Sequence, residues 1–328
     1  MSIDEVARKA GVSTATVSRV MNGSPSVKAS TRTRVEAVIS QEGYSANRLA
    51  RNLRTAESRL LLTMVPDFSN PFYAEIVKGI DSVARKNGYH LLLCDTGASL
   101  TAERTYFDML RTRLADGAIC LDPDSTQRAM ASETGKLQWV ACCEFDPKGP
   151  VPYVGINNAK AAQDAVRYLV ERGRRNIAFI NSDERFLYAR QRKDGYMAAL
   201  AQAGLTPFDG AIVKTEGLTF DDGKRVAARL LANPTRPDAI FAVSDTLAIG
   251  AMQALREAGL RVPEDVAVIG FDNVPLATMV QPALTTIAQP MFRLGENAAL
   301  LLLERMRDPG MPAVGTLLEH ELIIRGSA

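Results

Sequence analysis

The chain lacks most of what anchors, cross-links or arms a protein for catalysis. It has four cysteines (Cys94, Cys120, Cys142, Cys143), none in a C-x-x-C arrangement, and two histidines, His90 and His320, distant from them in sequence. That spacing argues against a zinc site, and three of the cysteines sit in apolar, strand-like runs that suit buried free thiols. No apolar run approaches the roughly 20 residues that span a bilayer. The opening MSIDEVARKAGV carries acids early and has no apolar h-region, so neither a membrane partner nor a secretory signal is expected, and the chain reads as cytoplasmic. There is no P-loop, no G-x-G-x-x-G at the first strand and no G-x-S-x-G, and Ser, His and Asp are not placed as a triad. Neither an enzyme nor a cofactor is expected.

What is present is an ordinary globular composition, 46% hydrophobic and 23% charged, over 328 residues. That length suits two or three packed units. The net charge of +2 is unevenly spread. Residues 1–59 hold ten Lys/Arg against five Asp/Glu, a net of +5, which leaves 29 against 32, or −3, for the remainder. A basic head on a slightly acidic body suggests a polyanion-binding segment.

Ser2-Ile3-Asp4-Glu5 reads as a capping box, followed by a helix with Ile3, Val6, Ala7 and Ala10 on one face. Gly11 permits a tight turn, and Ser13 is a natural N-cap for a second helix through about Met21. Asn22-Gly23-Ser24-Pro25 breaks the chain. A third helix runs from about Ser30 to Glu42, with Val35, Val38 and Ile39 inward and Gly43 as its stop. Three short helices, the first two joined by a glycine-containing turn, form a helix-turn-helix whose second helix enters the major groove N-terminal end first. Thr14, Ala15, Ser18 and Arg19 stand at that end. Arg19 can donate two hydrogen bonds to a guanine edge, worth about 1–3 kcal/mol of discrimination.

From Leu60 onward, short apolar runs alternate with helical patterns. Strands are expected at Leu60–Val65, His90–Cys94, Ala118–Leu121, Trp139–Cys143, Ile177–Ile180, Ala239–Val243 and Val266–Gly270, with a helix at Phe72–Asn87. Such alternation gives parallel sheets covered on both faces, and the length suits two of them. Ligands in such sheets bind beyond the C-terminal strand ends. Those ends lead to P-D-F-S-N-P-F-Y, to a polar loop before Arg192, to Ser244-Asp245-Thr246, and to Gly270-Phe271-Asp272-Asn273.

The string I-D-E-V-A-R-K-A-G-V-S-T-A-T-V-S-R-V-M-N, with T-R-T-R-V-E-A-V-I, G-Y and N-R-L-A-R-N-L-R after it, resembles the DNA-binding head of the lactose repressor family. The body carries V-P-D-F-S-N-P-F-Y-A-E-I-V-K-G-I, R-K-D-G-Y, S-D-T-L-A-I-G-A-M, V-P-E-D-V-A-V-I-G-F-D-N and P-A-L-T-T-I-A-Q-P, so the resemblance covers nearly the whole chain. S-T-A-T-V-S-R, T-T-I-A-Q-P and E-L-I-I-R-G-S are especially similar to its cytidine-repressor branch.

The resemblance implies an all-α helix-turn-helix head at 1–45, a hinge helix and linker at 46–58, and an α/β two-lobed periplasmic-binding-protein-like domain at 59–328. The lobes would divide at about 59–157 with 289–320 and about 158–288 with 321–328, with crossovers near 155–160, 285–290 and 318–323. It implies that Thr14, Ala15 and Arg19 read bases and that Ser13, Thr16, Ser18 and Asn22 lie near phosphates. Asn47, Leu53 and Arg54 would belong to a hinge that enters the minor groove, Leu53 as a wedge; capping helix three is the alternative for Leu53. The effector pocket would include Phe72, Tyr73, Tyr188, Arg192, Asp272 and Gln289, with Leu218 or Phe220 in the place of a stacking aromatic and Glu144 as a further candidate. Other roles stay open: Asp245 as a helix cap, Tyr73 as lobe packing, Arg192 as an inter-lobe salt bridge.

The expected function is a repressor whose partners are double-stranded operator DNA and a small-molecule effector, a nucleoside or a sugar. Bulky Phe186 and Tyr188 suit a flat stacked ring. A homodimer is expected, since no C-terminal heptad helix is available to build a tetramer. The competing reading is a solute-binding protein, against which the basic head argues.

Overall fold

The computed structural model describes residues 2–21, 23–43, 57–122 and 137–328. Asn22, Asn47, Leu53 and Arg54 lie outside them. The chain divides into two compact units, Met1–Ser58 and Arg59–Ala328.

The first unit holds α1 (Ile3–Ala10), α2 (Thr14–Met21) and α3 (Ala29–Gln41). Ser2 and Glu5 form the reciprocal capping box, with Glu5 N–H donating to Ser2 Oγ at 3.3 Å and Ser2 N–H donating to Glu5 Oε2 at 2.8 Å. Gly11, at φ 63°, makes the left-handed turn that a Cβ would strain. Val6, Ala7, Ala10, Val17, Val20 and Val35 close a small core. Arg32 ties α3 to the preceding loop by donating to Ser24 O at 2.6 Å.

The second unit holds two six-stranded sheets among the described residues. The first contains β1 (Leu60–Val65), β2 (His90–Asp95), β3 (Gly117–Cys120), β4 (Trp139–Cys142), β5 (Tyr153–Ile156) and β11 (Gly315–Leu318), in the order β11-β5-β4-β3-β1-β2. Its strand pairs are all parallel. The second contains β6 (Ile177–Asn181), β7 (Ile212–Lys214), β8 (Ala239–Ala242), β9 (Ala267–Asp272), β10 (Thr285–Ala288) and β12 (Glu321–Ile323), ordered β12-β10-β9-β8-β6-β7. Only β12 runs antiparallel to its neighbour. The chain passes between sheets three times: after β5, after β10 and between β11 and β12.

Helices cover both sheets. On the first, α4 (Pro71–Lys86) packs on α11 (Met291–Arg307), and α5 (Leu100–Arg111) buries Phe107 edge-on against Trp139 at 5.2 Å. Gly79 and Gly295 let α4 and α11 touch backbone to backbone: a Cβ on Gly79 would run into Phe292 O, and one on Gly295 into Ile76 O. On the second sheet lie α6 (Asn158–Glu171), α7 (Leu187–Gln202), α8 (Phe220–Leu231), α9 (Asp245–Glu257) and the short α10 (Leu276–Met279). Phe179 stacks on Tyr196 and Phe241 there, and the Tyr196 hydroxyl donates to Ile177 O at 2.8 Å. Parallel strands covered this way aim their C-terminal ends at the loops that build the site.

Candidate functional site

The head presents its chemistry on α2. Val17 and Val20 are buried, which turns Ala15 and Arg19 outward to exposed positions beside half-buried Thr14 and Ser18. Ser13 Oγ accepts from Thr16 N–H at 3.3 Å, and the two hydroxyls lie 3.0 Å apart. These short side chains hold the N-terminal turn of α2, where its N–H groups point outward and favour an anion. No acid occupies that turn.

In the second unit, the loops after the strands of both sheets meet at one cleft. Its inner part, about 500 Å³ of space partly open to solvent, is lined by Phe72, Tyr73, Asn158, Tyr188, Arg192, Leu218, Asp272 and Gln289 among others. An outer part of about 820 Å³ adds Asp122, Ser182 and Phe186 and shares Asn70, Tyr73, Glu144, Tyr188 and Leu218 with the inner one. Of the sequence candidates, all fall in this cleft except Phe220. Phe220 is the first residue of α8, follows the capping Thr219, and is 38% exposed. It lines a separate groove with Ile249, Met252 and Met279. The helix start that positions it turns it away from the cleft, so Leu218 alone of the pair is at hand for an effector.

The central polar groups of the cleft are held from behind. Asn70 caps α4 by accepting from Phe72 N–H at 3.0 Å, which sets Phe72 and Tyr73 as an edge-on ring pair 5.1 Å apart. Arg192, 5% exposed, donates through Nε to Asn158 Oδ1 at 2.9 Å and through Nη1 to Val243 O. Its guanidinium lies 3.4 Å from the Phe271 ring centroid and 5.0 Å from that of Tyr188. Asp272, 7% exposed, accepts from Gln289 Nε2 at 2.7 Å and stands 4.0 Å from Arg192. Arg192, Asn158, Val243 and Asp272 all belong to the second sheet and its helices, so Arg192 makes no inter-lobe salt bridge with Asp272. Burial pulls Arg192 down from its ordinary value, against the opposing pull of Asp272. Burial pushes the Asp272 carboxyl up to about 7, although Arg192 and the Gln289 bond work the other way.

Asp272 and Asn273 both adopt positive φ, 113° and 61°. Such backbone is strained outside glycine and is found at sites where the surroundings fix it. The surroundings here are explicit: Asp245 accepts from Val274 N–H at 2.8 Å and from Thr286 Oγ1, and Arg325 donates to Asn273 Oδ1 at 2.7 Å. Asp245 is therefore the clamp of the Asp272 loop rather than the cap of α9. Ser244 is that cap, accepting from Leu247 N–H at 3.3 Å.

Glu144 has a role that its place after β4 did not reveal. Its carboxylate, from the first lobe, accepts from Leu187 N–H at 2.7 Å and Tyr188 N–H at 2.9 Å, in the first turn of α7 in the second lobe. Phe186, the N-cap position, supplies no side-chain bond. One carboxylate thus caps a helix across the cleft. Asn158, Cys143, Ser182 and Asp122 also line the cleft without having been singled out. Asn158 directly follows the first crossover, so the strand-end rule would have found it once β5 was recognised.

Cys94, Cys120 and Cys142 are buried and Cys143 half-buried, all as free thiols. Burial raises the Cys94 thiol to about 11. Among the described residues no group of His, Cys, Asp and Glu is arranged to hold a metal, and no helix is long and apolar enough to cross a membrane.

Residues 2–47 match the model of bacterial regulatory proteins of the lacI family, and residues 166–328 match a periplasmic binding protein-like domain. The chain is 38% identical over 327 residues to the HTH-type transcriptional repressor CytR of Escherichia coli strain K12, covering 99% of this chain and 96% of that one. A transcriptional regulator CelR–cellobiose complex superposes with a TM-score of 0.76 at 31% identity, covering 100% of each chain. The lac repressor dimer bound to operator and the anti-inducer ONPF superposes with a TM-score of 0.89 at 26% identity, covering 100% of this chain and 98% of that one.

Proposed function

Since the chain belongs to the lacI family of bacterial regulatory proteins and is a DNA-binding transcriptional regulator, we propose that it is a homodimeric repressor controlled by a small polar effector held between the lobes. The observation that carries this is the pairing of an outward-facing α2 with a cleft closed by loops of both sheets. The basic head supports this reading over a solute-binding protein.

Two heads would read half-sites separated by about one or more helical turns. Arg19 would contact a base edge, with Thr14 and Ala15 beside it and Ser13, Thr16, Ser18 and Asn22 toward phosphates. Asn47, Leu53 and Arg54 would act in the minor groove, Leu53 as the wedge. In the body, Arg192, Asp272 and Gln289 would hold polar groups of a nucleoside or sugar, with Phe72, Tyr73, Tyr188 and Leu218 against its faces. Binding that favours one relative angle of the lobes shifts DNA affinity by a coupling of typically about 1–3 kcal/mol.

The test is a thermal-shift screen with nucleosides, bases, pentoses and hexoses, followed by operator titrations with any compound that stabilises. A compound that raises the melting temperature by several degrees and changes operator affinity supports the reading. Stabilisers that leave operator affinity untouched would remove allosteric control.

A further inference from the structure

The cleft faces several devices that proteins use to bind phosphate, and the chain has filled a number of them with its own side chains. Helix N-termini are ready anion sites. Of those at the inner cleft, three are capped by residues that line it. Asn70 occupies that of α4, Ser244 that of α9, and Glu144 that of α7, each accepting a first-turn N–H. All three capping residues line the cavity. The two guanidinium groups among its described lining residues are committed as well. Arg192 is bonded to Asn158 and Val243 O and sandwiched by rings. Arg185 pairs with Asp183 at 3.4 Å and lies 4.6 Å over the Phe186 ring.

Against these two cations stand six carboxylates on the described lining: Asp67, Asp122, Glu144, Asp183, Glu216 and Asp272. Five of them face the larger outer part, so the field there is negative. A phosphate placed in the outer part would meet like charge. A hydroxyl, amine or amide would meet acceptors.

We propose that the cleft selects an unphosphorylated polar ring compound, neutral or cationic, whose donor-bearing end faces the outer carboxylates, and rejects the phosphorylated form of the same compound. This rests on the effector reading above and deepens it. A nucleotide or sugar phosphate would be excluded by charge.

The test is calorimetry on the full chain with matched pairs: cytidine and its 5′-monophosphate, adenosine and its 5′-monophosphate, ribose and ribose 5-phosphate, glucose and glucose 6-phosphate. The unphosphorylated member of a binding pair should be tighter by roughly tenfold or more, as like charge in a partly desolvated cleft requires. The double variant Asp183→Asn/Glu216→Gln, at two exposed positions, should narrow that gap several-fold. A phosphorylated member that binds as tightly as its partner overturns the inference and leaves the effector reading standing. An unchanged gap in the double variant overturns the charge argument. Silence from every pair, with operator affinity unmoved, overturns the effector reading and the inference with it.

Discussion

The head keeps Ala15 and Arg19 in water on one short helix, whereas the cleft gathers Arg192, Asp272 and Gln289 out of water from three separate elements. An exposed cation is screened by salt and gains its worth only when the partner arrives. A buried charge is insulated from salt, shifts its ionisation and must be satisfied beforehand. Thus Arg192 comes with Asn158 and Val243, and Asp272 with Gln289. The two regions should therefore answer to different variables, salt for the head and pH for the cleft.

Salt should produce the largest separation. Operator affinity is expected to fall roughly a thousandfold or more between about 50 and 200 mM salt, while the affinity of a neutral effector stays within about threefold. Anisotropy and calorimetry on the same preparation measure both, and an equal fall in the two would break the comparison. Next comes Asp272→Asn, which should weaken effector binding by about 2–3 kcal/mol, since it removes the charge and turns one accepting oxygen into an NH2 donor that faces a polar ligand. Operator affinity without effector should hardly change. Arg19→Ala should remove about 1–3 kcal/mol of discrimination per half-site and leave the effector dissociation constant within about twofold. Weakened effector binding in this variant would dissolve the division of labour.

The pH effect is smaller and has a definite sign. The carboxyl of Asp272 is raised by burial to about 7 in the folded chain, above its ordinary value of about 4. Between those values the folded state binds more protons than the unfolded one, so this group's contribution to stability falls as pH rises. An effector that donates to Asp272 needs the ionised form, and its affinity should rise as pH goes from about 5.5 to about 8. Calorimetry in buffers of different ionisation enthalpy should show proton release, and Asp272→Asn should abolish it. The smallest effect belongs to Glu144→Gln, which weakens the cap on α7 by about 1 kcal/mol. The melting temperature of the body should drop by about 2–4 °C.

The same contrast governs what could be read from the sequence. The head is contiguous, so a capping box, a glycine turn and an apolar stripe place Thr14 to Arg19 without any long-range information. The two-sheet architecture was legible too, because central strands are apolar runs, continuous in Ala239–Ala242 and broken only by Thr63 in Leu60–Val65. Three of the four edge strands were not. Ile212–Lys214, Gly315–Leu318 and Glu321–Ile323 are short and half exposed, without an apolar run. Thr285–Ala288 hid differently: its two threonines are fully buried, with hydroxyls satisfied by Arg325 N–H and Asp245 far away in the chain.

In the cleft, looking beyond strand ends brought out Phe72, Tyr73, Arg192 and Asp272, which the structure gathers there. The family resemblance left Leu218 and Phe220 as a pair, because a two-residue shift around a helix start decides which side chain faces inward. The sequence reading left Asp245 open for the cap that belongs to Ser244, and it missed the bond from Glu144 to α7. Adjacent candidates in one loop differ in sequence by nothing that fixes their partners in space.

The most direct test of the central claim, that one chain couples an exposed DNA-reading helix to a buried effector cleft, is a thermodynamic cycle. Operator affinity is measured with and without saturating effector, and effector affinity with and without operator. The account predicts the same factor in both directions, between about fivefold and 150-fold. An effector that binds the cleft with identical affinity on and off the operator would contradict it.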